Sequence, residues 1–492
     1  MIKSFIFENF KSFEKAELNL EALTSLIGTN SSGKSNAIEG IHILADTATG
    51  QELSTILDGT RNMDSHIRGG SKSCCRFKTS AFKLGCLIDL DEKYDLYYYI
   101  KISTNKKVWV EEEALYKVVN GKTELAGGEK IFKTKLRTKE SGDIQAEYND
   151  KKAGRNPDIL CMRVSSVLAQ LRTKLPQNTY RDRECFGYIE LVLENLKKIF
   201  ILNPVPSDMR DYVRITDTDL KENCENISAV LRHLCEDSEK KKELLKIVSD
   251  LPENEIKDIG FITTQLDDVI FALREKYINS SELFDAKKLS DGTLRCIAIV
   301  AAILTIPEGS TLVIEEIDNG IHASRVQALI KNLSLLGEKR KIDIILTTHN
   351  PVLLNGYKKQ QLLGVSVVYR ENEKGTSKFI PFVDIRNYPQ VFVRGGLGEA
   401  MLDESLLNLI KCPSGKINVS FCSIASLNSF FTLSYSWHIC GILKRFITMD
   451  VSIKRNINFT AGNNHRKRKS YFAYCRWEYK KRKSGKISGI FA

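Results

Sequence analysis

Short apolar runs along the chain predict the strands of a buried sheet. The clearest runs cover residues 23 to 27 (Leu-Thr-Ser-Leu-Ile), 311 to 314 (Thr-Leu-Val-Ile) and 342 to 346 (Ile-Asp-Ile-Ile-Leu). Runs of this length that end in small or polar residues are typical of strands covered on both faces. We therefore expect an α/β fold built around a core sheet.

Other patterns predict an antiparallel lobe and a set of helices. Alternating apolar and polar residues between 77 and 119 indicate strands that expose one face. Apolar residues spaced by three and four, as in 189 to 201 and 219 to 235, predict helices between 157 and 250. The polar stretch from 121 to 156 is rich in Lys, Glu and Gly, and it predicts a hairpin with loops.

A phosphate-binding loop follows the first apolar run. The sequence Gly-Thr-Asn-Ser-Ser-Gly-Lys-Ser begins at Gly28 and has the spacing G-x-x-x-x-G-K-S. In such a loop, which here includes Asn30 and Gly33, successive backbone N–H groups face the β- and γ-phosphates at the start of a helix. Lys34 would reach the terminal phosphates and the Ser35 hydroxyl would bind Mg²⁺. The pattern therefore predicts a nucleotide site.

The second apolar run ends in two acids, Glu315 and Glu316. Such a strand can present one carboxylate to the Mg²⁺ shell and another to the attacking water, so we expect Glu315 to bind the metal and Glu316 to act as the base. Two acids after a strand are common by themselves, because strands that leave a sheet tend to turn polar. Here they follow Ser290 by 26 residues (316 minus 290), and Ser290 lies in a second anion-binding pattern.

That second pattern covers residues 289 to 295 (Leu-Ser-Asp-Gly-Thr-Leu-Arg) and opens the long apolar run from 296 to 306. A serine and a glycine at the start of a helix favour anion binding. The chain thus has two phosphate-binding elements but one P-loop. One chain is not expected to close both around one nucleotide.

These motifs resemble those of a known family. Residues 289 to 295 are similar to the LSGGQ signature of ABC-type ATPases, and residues 347 to 351 (Thr-Thr-His-Asn-Pro) are similar to their switch-histidine segment. The opening residues 1 to 13 (MIKSFIFENFKSF) resemble the first strands of RecF, SMC and OLD ATPases, as does Asn36 after the P-loop. The chain most resembles the RecF/SMC-like AAA ATPases of prokaryotes, many of which are found in phage-defence operons. The resemblance spans about residues 1 to 405 and includes 202 to 210 (Leu-Asn-Pro-Val-Pro-Ser-Asp-Met-Arg) and 394 to 399 (Arg-Gly-Gly-Leu-Gly-Glu).

The resemblance implies an ABC-type P-loop NTPase head, with a mixed sheet, an antiparallel lobe and an inserted helical lobe; we expect an irregular basic tail beyond the region of resemblance. It also implies a head-to-head homodimer with two shared sites for ATP and Mg²⁺. Ser290 and Gly292 would bind the γ-phosphate held by the P-loop of the second subunit. Asp318 would lie in the loop that crosses the interface, and His349 would sense the γ-phosphate.

Two further assignments also come from the resemblance. Lys11 would contact the α-phosphate, and Gln170 would be the Q-loop metal ligand, although a lone glutamine is more often a surface residue. A lone histidine such as His349 is by default a satisfied residue at a strand end, but its place 33 residues beyond Glu316, after a strand, favours the sensor role. His322 has no such support, and we expect it at a helix start or on the surface.

Three positions depart from the family pattern. Ser31 replaces a glycine of the P-loop, Asp291 replaces the second signature residue, and Glu315 replaces the more frequent aspartate. Of the three, Ser31 is the departure that could change the rate of ATP turnover, whereas nucleotide binding is expected to survive.

The motifs divide the chain into four predicted parts. These are residues 1 to 156 with the P-loop and antiparallel lobe, 157 to 282 as the helical insertion, 283 to 410 with the signature, the paired acids and the switch histidine, and 411 to 492 as the basic tail. An SMC protein would place long heptad repeats between the two halves of its head. Here the 256 residues from Lys34 to Ser290 (290 minus 34) contain several prolines and broken helices, which argues against a long coiled coil.

Composition limits the size class and the compartment. A chain of 492 residues exceeds the usual size of a single core. Its 12 cysteines include no C-x-x-C pair, and Cys74 and Cys75 are adjacent, which indicates a reduced, cytoplasmic protein. The N-terminus enters a strand directly, so we expect no signal peptide.

The net charge of +12 is concentrated in the tail. Residues 411 to 492 contain 16 Lys and Arg and two acids, or about +14, so residues 1 to 410 sum to about −2. The stretch from 417 to 443 has no charged residue, but about a third of it is Ser, Asn, Thr or His, which disfavours a membrane span. Residues 465 to 483 interleave cations with aromatics, which would suit single-stranded nucleic acid, although a disordered or unevolved appendage would look the same.

Two functions fit these patterns. The first is an ATP-driven, dimeric, DNA-associated ATPase that serves repair or phage defence. The second is a regulatory ATPase that gates a separately encoded nuclease or toxin. OLD-type enzymes carry a Toprim nuclease after the ATPase, and such a nuclease has a glutamate followed by a D-x-D pair. No such pattern lies beyond Pro351, so a built-in nuclease is unsupported.

Overall fold

The computed structural model describes residues 1 to 385 apart from 62–64, 121–127, 137, 139, 150, 153–155, 253–255, 276–282, 349, 351–352, 354–356, 358–360 and 372–373. His349, the segment from 394 to 399 and the basic tail lie outside the described residues. Within the described part of the chain, no helix combines the length and the apolar character needed to cross a membrane.

Helices and strands both occur along the described chain, mostly in short groups of one kind. The helices are α1 (Lys34–Thr47), α2 (Leu53–Asp58), α3 (Gly70–Cys74), α4 (Val167–Lys174), α5 (Tyr180–Lys197), α6 (Ile227–Glu236), α7 (Ser238–Ser249), α8 (Asp291–Thr305) and α9 (Ala323–Arg340). The strands are β1 (Ile2–Phe10), β2 (Phe13–Asn19), β3 (Leu23–Ile27), β4 (Ala81–Asp89), β5 (Tyr94–Ser103), β6 (Trp109–Val119), β7 (Glu129–Leu136), β8 (Asp143–Tyr148), β9 (Asp158–Met162), β10 (Ile199–Leu202), β11 (Val213–Arg214), β12 (Ile256–Thr263), β13 (Asp268–Glu275), β14 (Phe284–Asp285), β15 (Thr311–Ile314), β16 (Asp343–Thr348), β17 (Val365–Arg370) and β18 (Ser377–Pro381).

The core sheet has the strand order β10-β15-β16-β3-β17-β18. The first five strands are parallel, and β18 pairs antiparallel with β17 at the edge. Val313 of β15 pairs with Ile201 on one side and Ile345 on the other, and all three side chains are buried. The apolar runs thus form the expected core strands, although β16 begins one residue later and ends two residues later than the run predicts. Because the carboxyl ends of parallel strands meet at one edge, the segments after β3, β15 and β16 are brought together there.

An eight-stranded antiparallel sheet with the order β2-β1-β4-β5-β6-β7-β8-β9 forms the predicted antiparallel lobe. Side chains of this sheet, of α1 and of the core sheet belong to one apolar core. The ring of Phe379 in β18 stacks on Phe13 of β2 at a centroid distance of 4.9 Å. Helix α1 approaches β1 closely, since a Cβ at Gly40 would lie 2.7 Å from the ring of Phe7. This packing fixes the helix that follows the P-loop.

The interval from 157 to 282 corrects the prediction of a helical insertion. It contains α4 to α7, but β9 completes the antiparallel sheet and β10 is the edge strand of the core sheet. In addition, β12 and β13 pair as a hairpin that also contacts β11 and β14. The prediction of a helix from 189 to 201 is wrong at its end, because Ile199–Leu202 form strand β10. Apolar residues at every position suit a buried strand as well as a helix.

A buried carboxylate joins the antiparallel lobe to α4. Glu113 of β6 has no exposed surface, and its oxygens accept hydrogen bonds from the backbone N–H groups of Val167 (2.7 Å) and Leu168 (2.8 Å). They also accept from the hydroxyls of Ser166 and Tyr98, each at 2.9 Å. Burial raises the pKa of Glu113, and these hydrogen bonds oppose that rise. A negative group at the start of a helix also interacts favourably with the helix dipole.

We predict that Glu113→Ala lowers the free energy of unfolding by about 3 kcal/mol, because it leaves several buried donors without an acceptor. Glu111→Ala is the matched control, since Glu111 lies in the same strand, is partly exposed and pairs with Lys101 at 2.7 Å. That change should cost less than about 1 kcal/mol. Urea unfolding followed by circular dichroism measures both values, and equal losses would contradict the role of Glu113.

Candidate nucleotide site

The P-loop connects β3 to α1 in a conformation that requires small residues. A Cβ at Gly28 would lie 2.2 Å from the carbonyl oxygen of Val368 in β17, so a larger residue would clash with the backbone. Ser31 and Gly33 have positive φ angles of 62° and 119°. Left-handed residues in such a turn direct backbone N–H groups into a shared concavity, which suits an anion. Asn30 is exposed in this loop, and the half-buried Ser35 lies in the first turn of α1.

Lys34 is the buried cation of the site. Its side chain is held inside the loop, where Nζ donates to the carbonyl oxygens of Gly28 (2.7 Å) and Thr29 (3.0 Å). Burial lowers the pKa of Lys34 to about 8. The carboxylates of Glu316, Asp318 and Glu315, in decreasing order of their effect, oppose that shift. The predicted P-loop lysine and the predicted acids are therefore brought within electrostatic reach of one another.

The end of β16 holds the turn that carries these acids. Glu316 adopts a positive φ of 49°, which is uncommon for a residue with a side chain. Its backbone N–H donates to the hydroxyl of Thr347 at 2.8 Å, and the N–H of Ile317 donates to the carbonyl of Thr347 at 3.1 Å. A buried oxygen of Asp318 has no hydrogen-bond partner among the described residues. The two bonds to Thr347 therefore hold the acidic turn against the end of β16.

The signature segment is anchored by an arginine that the sequence patterns did not single out. Nη2 of Arg210 donates to the carbonyl of Leu289 at 2.9 Å and to the carboxylate of Asp291 at 2.6 Å. Ser290 is exposed and caps α8, since its hydroxyl accepts from the N–H of Thr293 at 3.2 Å. Arg210 lies in the segment from 202 to 210 that carries part of the family resemblance, which was the available signal.

Gly292 and Gly320 connect the signature to the turn after the acids. A Cβ at Gly292 would lie 2.7 Å from the carbonyl oxygen of Gly320, so this contact requires glycine at the start of α8. The signature and the acidic turn are thus one packed unit. A shift of the turn would be transmitted to the exposed Ser290.

Serine and asparagine side chains connect the P-loop to both sheets. Nδ2 of Asn36 donates to the hydroxyl of Ser12 at 2.8 Å, and the hydroxyl of Ser377 donates to the carbonyl of Ser32 at 2.6 Å. Asn36 is therefore beside the loop, as expected, but its amide is engaged with the turn between β1 and β2. The hydroxyl of Ser32 is buried and has no hydrogen-bond partner among the described residues.

The structure places Lys11 in an ion pair rather than against the loop. Its ammonium pairs with Glu39, one turn further along α1 than Lys34, and it donates to the carbonyl of Arg68 at 3.1 Å. Contact with a phosphate would require this pair to rearrange. The α-phosphate role of Lys11 remains a prediction.

Gln170 does not reach the nucleotide site, which corrects its assignment as a metal ligand. Its side chain accepts from the N–H of Met162 at 2.9 Å and donates to the carbonyl of Met162 at 2.7 Å. The preceding residue, Ala169, lies 3.6 Å from the Cβ position of Gly50, just beyond the end of α1. Since α1 has 14 residues, its ends are roughly 20 Å apart, and Lys34 is at the other end.

Two histidines complete the predicted set. His322 caps α9, with Nδ1 accepting from the N–H of Ser324 at 3.4 Å, which confirms the helix-start interpretation. His349 lies outside the described residues, and its role as a phosphate sensor remains a prediction. The strand that leads to it, β16, is in place beside β3.

Comparison with known sequences gives a family and a relative. The profile of a family described as AAA ATPase domain matches residues 1–354. A Helicobacter pylori (strain ATCC 700392 / 26695) protein named ATP/GTP phosphatase is 22% identical over 358 residues, covering 71% of this chain and 85% of the relative.

Solved structures of SMC heads are among the similar folds. An SMC head bound to the C-terminal winged-helix domain of ScpA is 12% identical, covers 77% of this chain and 96% of its own, and has a TM-score of 0.43. The SMC head domain from Thermotoga maritima is 12% identical, covers 77% and 98% of the two chains, and has a TM-score of 0.37. At these scores the fold assignment rests on the strand order and motifs of this chain instead.

The P-loop after β3, the paired acids after β15 and the signature at the start of α8 define an ATPase with an ABC-type P-loop head. The family profile covers well over half of the chain, so the protein belongs to the AAA ATPase domain family. The resemblance to AAA ATPases is thereby confirmed.

We predict that Thr347→Val lowers kcat about tenfold and leaves nucleotide affinity nearly unchanged. The change removes the hydrogen bond that holds the backbone of Glu316, a loss of about 1 kcal/mol, while the P-loop is untouched. Thr305→Val is the control, because that hydroxyl bonds the carbonyl of Ala301 at the far end of α8. Steady-state hydrolysis and equilibrium nucleotide binding check the prediction. A rise in Kd equal to the fall in kcat would mean that Thr347 supports binding instead.

Proposed function

We propose that the protein is a Mg²⁺-dependent ATPase that forms a homodimer, in which the heads of the two subunits associate through shared ATP sites. The observation that carries this proposal is the placement of Ser290. It is exposed at the start of α8, its neighbours are anchored by Arg210, and its hydroxyl contacts Thr293 of its own turn. A fixed, exposed phosphate-binding element suits a ligand presented by a second subunit.

The residues of one chain suit the bound state of ATP and Mg²⁺. The P-loop N–H groups and Lys34 would hold the phosphates, because the loop already forms a concavity around a buried cation. Ser35 and Glu315 would supply the hydroxyl and carboxylate oxygens that Mg²⁺ prefers. The orphaned oxygens of Ser32 and Asp318 are consistent with a site that is completed by a polar ligand. Bound Mg²⁺ supplies charge neutralisation at the phosphates.

Hydrolysis would depend on Glu316 and on the partner's signature. The carboxylate of Glu316 would orient and deprotonate the attacking water, and Thr347 would hold its backbone in position. Ser290 and Gly292 of one subunit would complete the phosphate shell of the other, and Asp318 would lie at the contact between them. Association would thus be required for turnover.

The cellular role of ATP binding and hydrolysis is proposed from the family resemblance. We favour a cytoplasmic, DNA-associated role in repair or phage defence, in which ATP closes the two heads and hydrolysis reopens them. The alternative is a regulatory ATPase that gates a separately encoded nuclease or toxin. Stimulation of hydrolysis by DNA would favour the first role, and stimulation by a co-purified protein would favour the second.

Complementation between two inactive variants tests the shared site. Ser290→Arg should bind ATP but not hydrolyse it, because its bulky cation blocks the facing γ-phosphate, whereas Lys34→Ala should not bind ATP tightly. A mixture of the two should regain activity, since each heterodimer contains one site with an intact P-loop and an intact signature. We expect about a quarter of the wild-type rate for random equal mixing, because half of the dimers would carry one working site.

Ser238→Arg is the matched control, as Ser238 is an exposed serine in the first turn of α7. It should hydrolyse ATP at the wild-type rate. A mixture that stays inactive, although both variants bind each other, would overturn the shared-site model. Full activity of Ser290→Arg alone would do the same.

A further inference from the structure

A cluster of metal-ligating side chains lies outside the nucleotide site. His42 is in the third turn of α1, His66 follows α2, and Glu222 lies between β11 and α6. One ligand atom from each of these residues lies within 4.8 Å of the other two. The cluster thus joins three segments that are remote in sequence.

Ligand distances and the orientation of the two rings describe its geometry. Nε2 of His42 lies 3.2 Å from one carboxylate oxygen of Glu222, and Nε2 of His66 lies 3.8 Å from the other. Asp46, one turn after His42 on the same helix, has an oxygen 3.8 Å from Nε2 of His42. The two imidazole rings are stacked, with centroids 4.7 Å apart and an angle of 26° between their planes. Both rings therefore direct Nε2 toward one carboxylate.

These distances suit a small divalent cation. Zinc bonds imidazole nitrogen and carboxylate oxygen at about 2.0–2.2 Å, so neighbouring ligand atoms of a tetrahedral site are roughly 3.3 Å apart. The distances from the two imidazole nitrogens to the Glu222 oxygens, 3.2 and 3.8 Å, are close to that spacing. Two imidazoles and one carboxylate, with water in the fourth position, also form a ligand set that zinc-class ions accept.

Burial divides the cluster into a fixed side and an open side. The side chain of His42 is 9% exposed, and the packing of α1 fixes its position. The side chain of His66 is 57% exposed, and those of Glu222 and Asp46 are 37% and 34% exposed. An ion could enter from solvent on the side of His66, and small rotations of the exposed groups could close the remaining gaps.

We propose that His42, His66 and Glu222 bind a divalent transition-metal ion of the zinc class, with water completing its coordination. The site would connect the P-loop helix to the segment before α6. The carbonyl of Glu222 accepts from the N–H of Asn203 at 2.9 Å, directly after β10. A metal here would therefore strengthen the contact between α1 and the edge of the core sheet.

The same segment leads toward the signature. Asn223 donates to Asp208 at 3.0 Å, and Asp208 lies two residues before Arg210, which holds Asp291. A bound ion would stiffen the path between the P-loop helix and the signature without touching the nucleotide. Its role is structural support, and the site is independent of the dimer proposed above.

Metal binding by the full chain tests this proposal. After removal of metal by chelation, Zn²⁺ is titrated at fixed pH in competition with a chromogenic chelator, for wild type, His66→Ala and Glu222→Gln. We expect about one tight site per chain that weakens at least tenfold in either variant. Both substituted side chains are more than a third exposed, so the fold should persist. Zn²⁺ should also raise the Tm of the wild type but not of His66→Ala.

His233→Ala is the matched control, because His233 is a similarly exposed histidine whose Nδ1 lies 3.0 Å from the carboxylate of Glu236. Its affinity for Zn²⁺ should equal that of the wild type. Substitution with Co²⁺ separates this site from binding by cysteines, since thiolate ligands add charge-transfer absorption that nitrogen and oxygen ligands lack. Unchanged Zn²⁺ affinity in His66→Ala, or thiolate charge transfer at the tight site, would overturn the proposal and leave the cluster as an ion-pair network.

Discussion

Lys34 is buried inside the loop that follows β3, within the field of acids that follow β15. Burial alone would favour the neutral amine, and Glu316, Asp318 and Glu315 oppose that effect. This attraction requires the two strand ends to lie at one edge of a parallel sheet with β16 between them. The sheet in turn requires the packing of α1 against β1, where Gly40 admits the ring of Phe7. The electrostatic pairing and the apolar core are therefore mutually dependent.

The signature depends on the same arrangement through two different contacts. Gly292 packs on the turn that follows the acids, and Arg210 holds the signature through its bonds to Leu289 and Asp291. Movement of the acidic turn would therefore reach the start of α8 directly. The segment from 203 to 223 adds a second connection, since it runs from the edge of the core sheet to the histidine and carboxylate cluster on α1. The P-loop helix α1 and the signature at the start of α8 are thus connected within one chain.

The sequence could predict those parts of the site that lie in short, contiguous motifs. The P-loop and the acids were found because strand, turn and helix follow one another within a few residues. Arg210 has no such local pattern, since its bond to Asp291 spans 81 residues and depends on the fold. The cluster of His42, His66 and Glu222 was missed for the same reason.

Other errors came from patterns that two structures share. Ile199 to Leu202 are apolar at every position, so the sequence could not separate a buried strand from the end of a helix. Their pairing with β15 decides the strand, and periodicity does not report such a long-range contact. The assignment of Gln170 rests on family resemblance alone, and the approach of the preceding Ala169 to Gly50 places it at the opposite end of α1 from Lys34.

The mass of the Glu316→Gln variant in solution tests the account most directly. This change should retain ATP binding while slowing hydrolysis by roughly 10² to 10⁴, so the ATP-bound state persists during the measurement. Sedimentation velocity with ATP and Mg²⁺ should give a species of twice the monomer mass, and the same protein with ADP, or carrying Lys34→Ala as well, should remain a monomer. A monomer in ATP, with binding of ATP verified in the same sample, would contradict the shared-site account.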